Sequence, residues 1–252
     1  LTIILEKKEI IPDVTSANLN TIGIRMPDSK IALKLIESSK TPIAAPSANI
    51  SGRPSPTEVE RCIEDLNGKV DYIIGGERSD IGVESTIVDC TIYPPMVLRP
   101  GGITLEMLRE VDSNIDIDKA LQSKPSDNLK PKAPGMKYRH YAPNASLKII
   151  RGKREKTIEI IQEMLENYID KNSKVAVLTT DENLKRFSKG EVISLGSEKD
   201  LSQIAKNLFE ALRKCDDLGV QYILCQGFEE IGVGLAIMNR LNKAAGYDII
   251  DV

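Results

Sequence analysis

The stretch Leu147-Lys148-Ile149-Ile150 is followed by an amphipathic run, Lys156–Ile169, and then by Lys174-Val175-Ala176-Val177-Leu178-Thr179. Short runs rich in β-branched residues on either side of a 3.6-residue period predict strand, helix, strand. The pattern continues. A short helix is expected near Glu182–Phe187, a strand at Val192–Leu195, and a helix at Leu201–Cys215 with Leu201, Ile204, Leu208, Leu212 and Cys215 on one face. Another strand, Tyr222–Cys225, and another helix, Leu235–Ala245, complete the alternation. Strands alternating with helices imply parallel strands joined by crossovers, a three-layer α/β domain over residues 147–252.

The residues before it are α/β of a different texture, with more strands and tighter turns. Leu1–Leu5, Thr21–Met26, Pro42–Ala45, Tyr72–Ile74, Val83–Cys90 and Met96–Leu98 read as strands, and Ser29–Ser38, Glu58–Leu66 and Leu105–Glu110 as helices. All 13 prolines lie at or before Pro143. This composition step marks a boundary: a domain over 1–114, an extended linker over 115–146, and the second domain over 147–252. The linker has no Asp or Glu from Asn128 to Arg154, while eight Lys and Arg side chains fall in that span. Such a segment is either a solvated tether or a strap over an anionic ligand.

At 252 residues two domains are expected. Apolar residues at 41% and charged residues at 28% exclude disordered and fibrous classes. A net charge of −3 does not announce a nucleic-acid binder, and no apolar run approaches the roughly 18 residues of a membrane-spanning helix. The four cysteines form no C-x-x-C pair, and His140 is the single histidine, so paired-ligand zinc sites are excluded. Reduced thiols fit a cytoplasmic protein. The chain opens on Leu1 inside an apolar run instead of on Met, which suggests a fragment lacking its N-terminal segment.

Chemistry concentrates in a few places. Pro46-Ser47-Ala48-Asn49-Ile50-Ser51-Gly52-Arg53-Pro54-Ser55-Pro56-Thr57 leaves an apolar run and feeds a helix, with Thr57 and Glu60 spaced as a capping box. Hydroxyls and small residues before a helix N-terminus suit phosphate oxygens, and equally a turn-rich loop with a good cap. The Walker A ending is missing. Arg25, in Arg25-Met26-Pro27, and Arg99, in Arg99-Pro100-Gly101, each follow an alternating apolar run and come just before Pro or Gly, where a crevice at strand ends would lie. Arginine grips carboxylate and phosphate in two-pronged fashion. Gly232 and Gly234 give an incomplete dinucleotide fingerprint.

These motifs together, with G-V-E-S-T-I-V-D at Gly82–Asp89, L-R-P-G at Leu98–Gly101, P-G-M-K-Y-R-H-Y-A-P at Pro134–Pro143 and G-V-G-L-A-I-M-N-R-L-N-K-A-A at Gly232–Ala245, closely resemble the threonylcarbamoyl-AMP synthase family, the YrdC-like proteins, in its long form. The resemblance implies a YrdC-like twisted mixed sheet, incomplete at its N-terminus, followed by a linker and a small Rossmann-like domain. It implies a nucleotidyltransferase joining L-threonine, bicarbonate and ATP, with Mg²⁺ accompanying ATP, for threonylcarbamoyladenosine in tRNA. The threonylcarbamoyl transferase machinery would act downstream, and tRNA itself is a possible partner. By the same resemblance Arg25, Ala45 and Ser85 contact threonine, and Thr21, Ser47, Ser55, Arg99 and Tyr138 contact ATP. No protein metal ligand and no catalytic residue is assigned. Because the family's basic N-terminal motifs precede the matching region, the chain alone is expected to be weakly active or inactive. An RNA-binding YrdC-like module and a carbamoyl-transfer domain are the alternatives.

Overall fold

The computed structural model describes residues 1–118, 121 and 141–252. Tyr138, Arg139 and His140, with most of the expected linker, lie outside the described residues. The chain divides into two compact units, one made of Leu1–Ser47 and Glu84–Lys137, the other of Ala48–Val83 and Tyr138–Val252. Residues 48–83, expected within the first domain of 1–114, thus cluster with the C-terminal α/β residues. The physical reason is a set of charged and close backbone contacts to one helix of that domain, described below.

The first unit is built on a five-stranded mixed sheet of order β2-β1-β3-β4-β5. β1 (Thr2–Glu6) pairs antiparallel with β2 (Thr21–Arg25) and parallel with β3 (Ile87–Asp89). β3 pairs antiparallel with β4 (Met96–Arg99), which runs parallel to the short β5 (Asp116–Ile117). Alternation sorts the side chains: Ile4, Ile87 and Leu98 pack together, while Val88 and Val97 join Leu108 and Ile115 in a second cluster. Helix α1 (Lys30–Ser39) starts where the Ser29 hydroxyl accepts from the Ala32 N–H, and ends on Lys40 in a left-handed conformation.

The expected strand at Pro42–Ala45 is irregular chain, and so is Tyr72–Ile74. Their apolar patterning finds no ladder among the described residues, and a strand exists only where a neighbour takes its N–H and C=O groups. The expected strand Val83–Cys90 shrinks to β3. β5 has only two residues and no periodicity to reveal it.

The second unit carries an all-parallel sheet of order β10-β6-β9-β7-β8, from β6 (Ser146–Arg151), β7 (Val175–Thr179), β8 (Glu191–Ser194), β9 (Tyr222–Gln226) and β10 (Ile249–Asp251). Helix α2 (Val59–Leu66) precedes it in the chain, and α3 (Leu105–Arg109) belongs to the first unit. On one sheet face Ile150, Val175, Val177 and Leu224 pack against Ile158, Ile161 and Leu165 of α4 (Arg154–Asp170). On the other, Ile149, Leu178 and Ile223 meet Ile204, Leu208 and Leu212 of α5 (Leu201–Asp217) and Ile237 and Leu241 of α6 (Val233–Ala244). The three layers match the expectation. The expected short helix is a 3₁₀ turn, Asp181–Arg186. β10 and the insertion of β9 between β6 and β7 were not legible. Among the described residues no helix is long and apolar enough to cross a membrane.

Candidate functional site

Register places four residues in one row across the first sheet. Arg25 at the end of β2 is opposite Thr2, Thr2 is opposite Ile87, and Ile87 is opposite Arg99 at the end of β4. Paired residues present their side chains on the same face, so the two arginines share one face near one end of the sheet. An irregularity between Ile87 and Val88 shifts the β3–β4 register. Without it Leu98 would stand opposite Ile87, so the extra residue re-aims Arg99, as bulges do beside sites.

Ser85 ties the row together from just before β3. Its hydroxyl lies 2.7 Å from the Thr2 hydroxyl and accepts from the Arg99 Nη2 at 3.2 Å, while its carbonyl accepts from the Arg99 Nε at 3.0 Å. Arg99 is buried, Ser85 half-buried and Arg25 exposed. Among the described residues the Arg25 side chain makes no hydrogen bond or ion pair. One guanidinium is therefore fixed into the backbone and the other faces solvent beside two hydroxyls. That arrangement suits an anionic ligand that also offers a hydrogen-bonding group.

Gly101 makes the geometry possible. A Cβ there would sit 2.4 Å from the Glu84 carbonyl oxygen and 2.5 Å from the Thr86 nitrogen, so only glycine lets the L-R-P-G turn lie against the Ser85 backbone. The Thr86 hydroxyl donates to the Ile103 carbonyl at 2.5 Å and anchors the next residue. Sequence reasoning missed Thr2 and Gly101. A threonine opening an apolar run gives no signal of its own. The glycine lay within a quoted motif but had no stated role.

Of the other expected contacts, Thr21 stands at the opposite end of β2 from Arg25, four residues away on the same face. Ala45 and Ser47 are exposed in irregular chain. Ser55 is buried and belongs to the second unit, and Tyr138 lies outside the described residues.

The hydroxyl-rich loop after Ser47 is folded on itself within the second unit. The Asn49 side-chain amide donates to the carbonyls of Ile50 (2.9 Å) and Arg53 (3.3 Å). The expected Thr57–Glu60 capping box does not form: Glu58 is the N-cap of α2 and makes no side-chain cap bond. Because the helix begins one residue later, Thr57 falls outside the cap, and its carbonyl accepts from the Ser79 N–H at 2.9 Å. Next to it is a hollow of about 200 Å³ lined by Thr57, Val59, Cys62 and Gly75.

At the carboxyl ends of β6, β9 and β10 a second hollow, of about 370 Å³, is lined by Arg151, Gly227 and Phe228. Its arginine is already held by Asp251 at 2.5 Å and Glu230 at 3.1 Å. Gly234 of the incomplete dinucleotide fingerprint meets the Glu229 carbonyl, where a Cβ would be 2.0 Å away, so packing explains it. Among the described residues no group of three His, Cys, Asp or Glu is placed to hold a metal ion.

Comparison with known proteins is consistent with this geometry. A family model described as threonylcarbamoyl-AMP synthase, C-terminal domain, matches residues 103–246, and one described as telomere recombination matches residues 1–101. These two spans run through nearly the whole chain. A threonylcarbamoyl-AMP synthase of Pyrococcus abyssi is 48% identical over 252 residues, covering 100% of this chain and 72% of that protein. One from Bacillus subtilis is 45% identical over 99% of this chain and 70% of its own length. The crystal structure of P. abyssi Sua5 complexed with L-threonine superposes with a TM-score of 0.92 at 48% identity, over 100% of this chain and 72% of that one. The chain belongs to the threonylcarbamoyl-AMP synthase family.

Proposed function

We propose that the chain's synthesis of threonylcarbamoyl-AMP uses the Arg25–Thr2–Ser85–Arg99 row to receive L-threonine, with Arg25 on the carboxylate and Ala45 and Ser85 supplying further contacts. The observation that carries this reading is an exposed guanidinium without a protein partner among the described residues, set in register with a hydroxyl pair that a buried arginine orients. The relative solved with L-threonine supports threonine as the ligand. Thr21, Ser47, Ser55, Arg99 and Tyr138 are assigned to ATP. The finer partners, bicarbonate and the tRNA-modifying machinery downstream, belong to the same proposal, as does a cytoplasmic location.

The chemistry needs no conspicuous base. The threonine amine and bicarbonate condense to a carbamate with loss of water. A carbamate oxygen then attacks the α-phosphorus of ATP, and the bond to the pyrophosphate oxygen breaks. What the protein supplies is position and charge: a fixed carboxylate directs the amine, and arginines offset negative charge as two anions approach. Mg²⁺ enters with ATP, as part of the substrate. Exchange of labelled pyrophosphate into ATP tests the proposal. It is expected only when L-threonine and bicarbonate are both present, and exchange independent of threonine would contradict it.

A further inference from the structure

The loop Ala48–Thr57 is held by a helix far away in sequence. Arg213 of α5 donates to the Pro54 carbonyl from Nη2 at 2.7 Å and Nε at 3.1 Å. The same guanidinium grips Asp65 of α2, with Nη2 at 2.8 Å from Oδ2. Asp65 in turn accepts from the Ile50 N–H at 3.2 Å and from Arg53 Nη1 at 2.8 Å. Both ends of the turn, Ile50 and Arg53–Pro54, are thereby fixed by one carboxylate and one guanidinium. Asp65 is fully buried and Arg213 nearly so. Burial works to raise the Asp65 carboxyl, and the hydrogen bonds from Arg213, Arg53 and the Ile50 N–H outweigh it and hold it at about 2.

A second contact set joins the same two helices without touching the loop. Arg61 of α2 meets Glu210 at 2.6 Å and Asp217 at 2.7 Å, both on α5. Charges alternate along each helix: positive 61 and negative 65 on α2, against negative 210, positive 213 and negative 217 on α5. At spacings of four, and of three and four, these residues share one face of each helix, so only one register satisfies them all. Where residues 48–83 end, Gly82 presses on α5, and a Cβ there would sit 2.3 Å from the Lys206 Cα.

A buried ion pair is seldom the cheapest source of stability, since apolar replacements often serve as well. What an apolar pair cannot do is clamp a carbonyl in two-pronged fashion one residue before Ser55. We propose that Arg213 and Asp65 are positioning residues for nucleotide binding, through which the C-terminal α/β domain sets the shape of the Ser55 loop. This inference rests on the assignment of Ser55 to ATP.

The test compares nucleotide and threonine affinities by calorimetry in folded variants. Arg213→Lys keeps the charge but loses the fork, and is expected to weaken ATP binding about tenfold while leaving threonine affinity unchanged. Asp65→Asn, which keeps the shape, gives the same split if Arg213→Lys does not fold. Arg61→Gln loosens the helix pair away from the loop; it is expected to lower the melting temperature with ATP affinity intact. The inference is overturned if Arg213→Lys and Asp65→Asn bind ATP like the wild type, or if Arg61→Gln weakens ATP equally, a purely structural outcome. Ser55→Ala separates the layers: unchanged ATP affinity there removes the reading on which the inference rests, whereas weakened binding with unchanged Arg213→Lys refutes the inference alone.

Discussion

Replacing Gly101 by alanine probes the proposed threonine site without removing any of its side chains. The added methyl would meet the Glu84 carbonyl oxygen at 2.4 Å, the Thr86 nitrogen at 2.5 Å and the Ser85 carbonyl carbon at 2.8 Å. All three are backbone atoms, so no rotamer change relieves the clash and the 84–86 segment must move by roughly 1 Å to restore ordinary contact. Overpacking of this kind costs about 1–3 kcal/mol. The displaced segment carries the Ser85 contacts to Thr2 and Arg99, each worth about 1 kcal/mol. Overpacking and loss of the three contacts together come to roughly 4–6 kcal/mol, which lowers the melting midpoint by roughly 8–24 °C at about 2–4 °C per kcal/mol. Calorimetric threonine binding should weaken in parallel, because the Ser85 hydroxyl no longer meets Thr2, the ladder partner of Arg25. A Gly101→Ala protein with the wild-type midpoint and wild-type threonine affinity would refute the close-approach reasoning.

Arg25→Ala is expected to raise the threonine requirement at least tenfold, the loss of a charged hydrogen-bonding pair, while ATP binding is retained; steady-state kinetics with each substrate varied checks this. Asp65 titrates at about 2 in the folded chain against an ordinary value of 3.8. Its depressed value makes its contribution, about 2 kcal/mol, present above pH 4 and lost as pH falls toward 2. Acid unfolding of Asp65→Asn should lack that portion, and identical acid profiles would rule it out. Burial pushes the Cys215 thiol up to about 12 and raises buried Cys225 further. An aromatic disulfide reagent at neutral pH should therefore label exposed Cys90 in the native protein and reach Cys215 and Cys225 only on unfolding.

The parallel sheet of the second unit was legible because its strands are buried on both faces. Val175-Ala176-Val177-Leu178 is apolar at every position, and the helices between such runs bury one clean stripe. Strand order was not, since nothing in Tyr222–Cys225 says that it lies between β6 and β7 instead of beyond β8. In the first unit, the ends of β2 and β4 announced Arg25 and Arg99 through the turn residues close behind each, Pro27 two residues after Arg25 and Pro100 directly after Arg99. The register that aligns them depends on a one-residue irregularity at Ile87, which leaves no mark in composition. The attachment of residues 48–83 to α5 was half visible. Arg61 and Asp65, and Glu210, Arg213 and Asp217, carry helical spacing, yet in a single sequence such charges look like any solvated face until their partners are known. The Thr57 capping box failed for a local reason, as Glu58 took the cap position and moved the helix start by one residue.

The most direct check is a crystal structure of the protein soaked with L-threonine and a non-hydrolysable ATP analogue. The amino acid's carboxylate is expected within hydrogen-bonding distance of the Arg25 guanidinium, with the Ser85 hydroxyl contacting the same molecule. Threonine bound elsewhere, with Arg25 still facing solvent, would contradict this placement.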